Sequence, residues 1–201
     1  MQSKLVADVT VQIELIGVTP LSFGKHHDEP YLSNEKELAY EKRTYSEKLH
    51  FADTGELFVP AMMAKKSLDA AVKRTGEKVR GRGNTTYGKF FEGGCIPDGN
   101  FPLTWMGEPI LKNNVKGEKL FVPSDGIAGS GKRVTKYFPL IPEWEVAGTF
   151  AILDNLIDPD TFKRMLKHAG TFIGLGRWRP QKGGLYGRFV VKKVTWNGKE
   201  I

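Results

Sequence analysis

The segment from Gly174 to Phe189 places five glycines among Arg177, Arg179, Lys182, Arg188, Trp178, Tyr186 and Phe189. Glycine at this density opposes the interior of a helix or strand and favours a tight connection with close backbone approaches. It follows a helical pattern and precedes the last strand pattern, so it must join the two. Two readings are open at this point. The aromatics could complete a core beneath a compact loop. Alternatively, the cationic groups could attract phosphate while Trp178 and Tyr186 offer flat faces to bases.

The charge distribution bears on that choice. No acidic residue occurs between Thr161 and Val194, whereas Lys163, Arg164, Lys167, Arg177, Arg179, Lys182, Arg188, Lys192 and Lys193 are cationic. A second basic block runs from Lys65 to Lys89 against only Asp69 and Glu77. Between Asp28 and Glu56 the sign reverses, with acidic residues at 28, 29, 35, 37, 41, 47, 53 and 56. Such segregation argues for a directed basic surface more strongly than the net charge of +7 alone.

Alternation of apolar and polar residues over Val9–Ile16 predicts a half-buried strand. Pro60 opens a helix in which Ala64, Leu68, Ala71 and Val72 share one face, with Gly76 as its stop. Arg133–Ile141 reads as a strand closed by Pro142. Glu143–Leu153 alternates again, with Trp144, Val146, Gly148, Phe150 and Ile152 on one side. Asp158-Pro-Asp160 is a helix opening, in which a capping Asp precedes a first-turn Pro. Phe162, Met165, Leu166 and Ala169 mark the buried face of that helix. Phe189–Trp196 is the final strand.

The order strand, helix, strand, strand, helix, strand is that of an α+β, ferredoxin-like fold of the RRM type with a split βαβ core. The 201 residues form a single domain with two inserted hairpin or loop regions. One is a mobile polar insertion at 22–57 with a short helix around Glu35–Lys48. The other, at 78–132, is rich in Gly, Pro and Asn and holds short strands at Phe101–Met106 and Lys119–Val122.

Several chemistries are excluded or weakened. The single cysteine, Cys95, rules out an intrachain disulfide. The absence of a long apolar run or a signal-peptide core predicts a cytoplasmic protein without membrane association. Gly126-Ile-Ala-Gly-Ser-Gly-Lys132 imitates a phosphate-binding P-loop, but Arg133 stands where Ser or Thr is required and extended chain follows. It reads instead as a flexible basic hairpin tip. His26-His27-Asp28 holds acid–base groups, yet adjacent histidines point apart on extended chain and no further metal ligand joins them. The serines lack a nucleophile-elbow context. No cofactor and no catalytic residue is expected.

Three segments together resemble one family: Phe58-Val-Pro-Ala-Met-Met-Ala-Lys-Lys-Ser-Leu-Asp-Ala-Ala71, Lys132-Arg-Val-Thr-Lys-Tyr-Phe-Pro-Leu-Ile-Pro-Glu-Trp144 and the terminal Gly-rich segment. The family is the RAMP (repeat-associated mysterious protein) superfamily, in its CRISPR backbone-subunit branch and the stand-alone relatives carried by phages. The resemblance implies a Gly-rich loop after the second helix, protruding hairpins, and head-to-tail assembly along single-stranded nucleic acid. It also implies backbone-phosphate contacts from Lys65, Lys66 and Ser67, and a strand-lining role for Arg177, Arg179 and the glycines beside them. Trp178, Lys182 and Arg188 join them as nucleic-acid-binding candidates on charge and aromatic character alone. Gly126–Arg133, with Lys132 and Arg133 at its end, would be a thumb wedged between bases. Some members cleave RNA with an Asp between the first strand and first helix; Asp28 occupies that region in a motif that does not match.

The expectation is therefore a non-enzymatic protein that coats single-stranded RNA, or less readily DNA, as a homo-oligomer or within a multi-subunit ribonucleoprotein. Two alternatives stand beside it. One is a metal-dependent or acid–base endoribonuclease using the His26–Asp28 loop. The other is a phage interaction protein that mimics a CRISPR subunit.

Overall fold

The computed structural model describes residues 9–124, 129 and 131–201. Its central strand, β1 (Val9–Gly17), buries Val11, Ile13 and Leu15 and exposes Thr10 and Gln12, following the sequence alternation. We number the remaining strands in chain order: β2 (Leu21–Ser22), β3 (Phe58–Val59), β4 (Cys95–Pro97), β5 (Phe101–Trp105), β6 (Glu108–Pro109), β7 (Lys116–Pro123), β8 (Arg133–Ile141), β9 (Glu145–Ile152), β10 (Phe189–Trp196) and β11 (Lys199–Glu200). The helices are α1 (Glu37–Thr44), α2 (Ala61–Thr75), α3 (Gly88–Gly94) and α4 (Pro159–His168).

The main sheet runs β11-β10-β1-β9-β5-β3, with β4 paired to β9 and β6 to β5. Its inner part, β10-β1-β9-β5, is antiparallel throughout. With α2 between β1 and β5, and α4 between β9 and β10, this is the ferredoxin-like α+β arrangement. The strand preceding β9 in this core is β5, not Arg133–Ile141. That segment does form a strand, β8, but it belongs to a second sheet of order β2-β8-β7. The division follows from burial: Phe101 and Leu103 of β5 are fully buried, whereas most of β8 is only partly covered.

Both core helices start where local chemistry dictates. Pro60 precedes α2, and Gly76 closes it with φ +60°. The Asp158 carboxylate accepts a bond from the Thr161 N–H at 2.8 Å, capping α4, with Pro159 in the first turn. The core is an aromatic chain in which Phe101, Phe150, Phe162 and Trp196 meet edge to face at 5.4, 5.7 and 6.0 Å.

The polar 22–57 region packs against the second sheet. Its helix forms as expected, as α1 and a 3₁₀ turn at Tyr45–Lys48, but what holds it is polar. Glu41, 3% exposed, accepts bonds from Lys48 Nζ (2.6 Å), Lys136 Nζ (2.8 Å) and the Tyr137 N–H (3.2 Å). Burial pushes the Glu41 carboxyl up, but the bonds from Lys136 and Lys48 outweigh it and leave the pKa below the ordinary carboxylate value. Tyr45 packs over Gly117 and donates to the Val115 carbonyl, completing the seam.

Candidate nucleic-acid interface

After α4 the chain makes one wide π turn, Ala169–Ile173, and enters the Gly-rich loop. The loop folds back on itself: the Leu175 N–H donates to the Gly187 carbonyl (2.9 Å) and the Tyr186 N–H to the Trp178 carbonyl (3.0 Å). Several bonds fix it to its surroundings. The Arg177 N–H donates to the Ser22 carbonyl (2.7 Å), the Gly187 N–H to the Pro20 carbonyl (2.8 Å), and Ser67 Oγ to the Gly174 carbonyl (2.9 Å). Gly176 is required here, since φ is +72° and a Cβ would collide with the Ser22 carbonyl oxygen. Trp178 also has positive φ, +51°, an uncommon conformation for a bulky residue. The fold thus holds a 42%-exposed indole at the loop tip.

The loop leans on the β7–β8 hairpin. Tyr186 Oη donates to the Glu118 carboxylate at 2.9 Å, and the Arg177 guanidinium lies 3.4 Å from the centroid of the Phe138 ring. Glu118 and Phe138 face each other in the β7–β8 register, so both contacts fall on one rung of the hairpin. Burial lowers the Arg177 pKa, and Glu118 opposes that shift from a distance. Burial followed by the Glu118 hydrogen bond raises that of Tyr186.

In α2, α4 and β10, Lys65 meets Asp69 (2.5 Å), Lys73 meets Glu92 (2.5 Å), Arg164 meets Glu77 (2.5 Å), Lys192 meets Glu145 (3.4 Å) and Lys193 meets Glu200 (3.4 Å), whereas Lys66, Arg74 and Lys167 have no ion pair among the described residues. Nor, among them, is any cation of the Gly-rich loop paired. Arg177, Arg179, Lys182 and Arg188 have no ion pair, and neither do Lys132 and Arg133 at the far end of the hairpin. Arg179 instead holds Gln181 Oε1 and the Gly176 carbonyl, and Arg188 holds the Thr171 carbonyl. Arg133 reaches the Phe121 carbonyl.

The residues singled out in the sequence are therefore only partly brought together. Arg177, Trp178, Arg179, Lys182 and Arg188 share the loop. Arg133 pairs with Pro123, five residues along β8 from the Phe138 rung, which at the strand rise is about 17 Å away. Half of the thumb segment 126–133 lies outside the described residues; Gly129 and 131–133 are described. Lys65 points inward, 6% exposed, and its ammonium is shared between Asp69 and the Phe91 carbonyl. Ser67 is likewise buried and anchors the loop from beneath. Lys66 is exposed, and its charge reaches Glu92 of α3.

The helix-free face of the sheet is not a stacking platform. There β1 and β9 present Gln12, Glu14, Ala147 and Thr149, none aromatic, and Lys192 sits between Glu14 (4.0 Å) and Glu145 (3.4 Å). His26 and Asp28 form a 3.1 Å pair on an exposed loop, with side chains 89% and 95% accessible. No group of three or more His, Cys, Asp and Glu suited to a metal ion occurs among the described residues. Nor, among them, is any helix long and apolar enough to cross a membrane.

Sequence reasoning missed the partners that shape the loop's base, namely Lys25, His50, Glu118 and Phe138. Together with Phe23, Gly24, Met63 and Gly176, three of these (Lys25, His50 and Phe138) surround Arg177 in a cavity of about 410 Å³. Phe138 stood within the Lys132–Trp144 motif. Nothing local marked Lys25 or His50 as its neighbours.

No family model matches the sequence, and no curated protein matches it. Solved structures do match. A chain of the Type III-B Cmr-β complex bound to cognate target RNA aligns over 94% of this chain with a TM-score of 0.53 and 11% identity. The chain shares the fold of that Cmr-β subunit. The alignment spans 60% of that larger chain. Cmr6 from Pyrococcus furiosus aligns over 93% of this chain and 99% of its own length, with 12% identity and a TM-score of 0.46. A chain of a CRISPR RNA-guided surveillance complex aligns over 94% of this chain and 68% of its own, with 12% identity and a TM-score of 0.40. The resemblance read from the sequence motifs thus agrees with the fold of the Cmr-β chain, at 11% identity.

Proposed function

We propose that this chain is a non-enzymatic subunit that binds single-stranded nucleic acid, RNA in preference to DNA, along the Gly-rich loop and the β7–β8 hairpin. The observation that carries the reading is a run of four cations on one loop, Arg177, Arg179, Lys182 and Arg188, none of which has an ion pair among the described residues. Arg177 lies 4.3 Å from the ring of Trp178, a residue that is 42% exposed. Cations left unpaired on a rigid loop are suited to phosphate, and a half-exposed ring beside them is suited to a base. The Cmr-β structure with the similar fold is one bound to target RNA, which supports RNA as the ligand.

In this reading several copies, or several subunits of one ribonucleoprotein, lie along the strand, and the Lys132–Arg133 end of the hairpin reaches the next segment. The binding surface is narrower than two converging basic blocks. The α2 block contributes Lys66, while Lys65 and Ser67 shape the loop from inside.

Labelled single-stranded RNA and DNA, incubated with and without magnesium, test the reading. The expected result is intact RNA retained more tightly than DNA, with an affinity that weakens steeply as salt rises. RNA cleavage that disappears in Asp28→Ala would replace it with the ribonuclease reading. Purification from cells with a CRISPR protein complex and no nucleic acid would replace it with the mimic reading.

A further inference from the structure

We propose that the cavity beneath the Gly-rich loop is a phosphate-binding pocket in which Arg177, Lys25 and His50 hold a single phosphate group. The inference deepens the function proposed above and rests on it for the source of the phosphate, but the pocket is tested separately.

Arg177 is the unusual residue. Its guanidinium is half-buried, and Nη1 is shielded from solvent without any hydrogen-bond partner among the described residues. A shielded polar atom without a partner is costly, and a shielded cation more so. The structure passes over an obvious internal remedy, because the Glu118 carboxylate is engaged by Tyr186 Oη at 2.9 and 3.1 Å. The π surface of the guanidinium is already occupied, with Phe138 at 3.4 Å and Trp178 at 4.3 Å from Cζ. What remains free is the in-plane set of N–H donors, which matches the oxygens of a phosphate.

The surroundings of this edge fit an anion. The cavity of about 410 Å³ is lined by Lys25 and His50 together with Phe23, Met63 and Phe138, and none of its lining residues is acidic. Lys25 is exposed, its ammonium 5.3 Å from the Phe51 ring centroid with no carboxylate partner. Phe138 is held between two cations, Arg177 and Lys48 (4.5 Å from the ring centroid). Lys48 faces away into Glu41, so its charge is matched and that of Arg177 is not. Gly24 and Gly176 complete the lining with backbone.

The phosphate could belong to a polynucleotide backbone or to a free mononucleotide, and the test separates these sources. Binding of inorganic phosphate, uridine 5′-monophosphate and an oligouridine RNA would be measured by calorimetry on the wild type, Arg177→Gln and Lys25→Gln. The expected result is phosphate binding by the wild type that falls about tenfold or more in Arg177→Gln, and less in Lys25→Gln. Competition between phosphate and the RNA would identify the backbone as the source, and tighter binding of the monophosphate than of the RNA would identify a mononucleotide. Because Lys25 is exposed, its variant folds even if Arg177→Gln is destabilised, and thermal melts check both. Equal phosphate affinity in all three proteins, or none in the wild type, would overturn the pocket. RNA binding that persists unchanged in both variants, with phosphate binding that does not depend on Arg177, would overturn the pocket and leave the proposed function standing. Phosphate binding that depends on Arg177, with no RNA binding at all, would do the reverse.

Discussion

Replacing Glu41 by Ala should be among the most damaging single changes to this fold outside its apolar core. The carboxylate is the common acceptor for Lys48, Lys136 and the Tyr137 N–H, at 2.6, 2.8 and 3.2 Å. Lys48 is itself 8% exposed, and its other acceptor is the Tyr137 carbonyl at 2.7 Å. Removing Glu41 strands a buried ammonium, a loss of about 3–5 kcal/mol for a broken buried pair. At roughly 2–4 °C per kcal/mol for a chain of this size, the melting temperature should fall by about 10 °C. The assay is thermal and urea unfolding of Glu41→Ala, Lys48→Met and the double variant. The double variant should be more stable than the sum of the single losses implies, by about 1–3 kcal/mol, because the stranded charge is gone. A loss below about 1 kcal/mol in Glu41→Ala, or additive losses across the cycle, would refute the hub.

Two further outcomes follow from the same structure. Because Glu41 has a folded pKa below its ordinary value, its contribution is complete above the unfolded carboxylate range, about pH 4, and is lost as pH falls through the lower folded value. Glu35, held at about 2 by its hydrogen bonds from Arg43 with burial opposing, acts in the same direction. Acid titration of the melting temperature should therefore show a loss below about pH 4 that is smaller in Glu41→Gln; an identical acid limb would count against it. Gly176→Ala places a side chain at φ +72° against the Ser22 carbonyl. It should displace the loop and weaken RNA binding about tenfold or more while the core still melts cooperatively, and unchanged binding would show the loop's position to be immaterial.

The parts of the fold legible in the sequence were those set by local rules. The alternation of Val9–Ile16, the Pro60 entry to α2 and the Asp158-Pro159 opening of α4 each encode an element within a few residues. The Gly-rich loop was legible for a related reason, since its glycines answer local φ demands and close backbone approaches. The second sheet was not. β2 has two residues, too few for a period, and β8 is partly covered on both faces, so neither reveals its partner. Glu41 was hidden more deeply: a buried carboxylate within a polar, charged segment looks the same as a solvated one until Lys48 and Lys136 are brought to it. The basic block of α2 misled in the opposite direction. Lys65 carries the same charge as Lys182, but only the fold shows that Asp69 lies within 2.5 Å of it.

The central claim is that the loop cations meet phosphate, and the salt dependence of RNA binding tests it most directly. Affinity of the wild type and of an Arg177→Ala, Arg179→Ala, Lys182→Ala variant would be measured for one single-stranded RNA across a salt series. Three lost phosphate contacts should reduce the slope of log affinity against log salt by about 2, with weaker binding at low salt and the fold intact. Two superimposable lines would contradict the claim and move the nucleic-acid surface elsewhere on the protein.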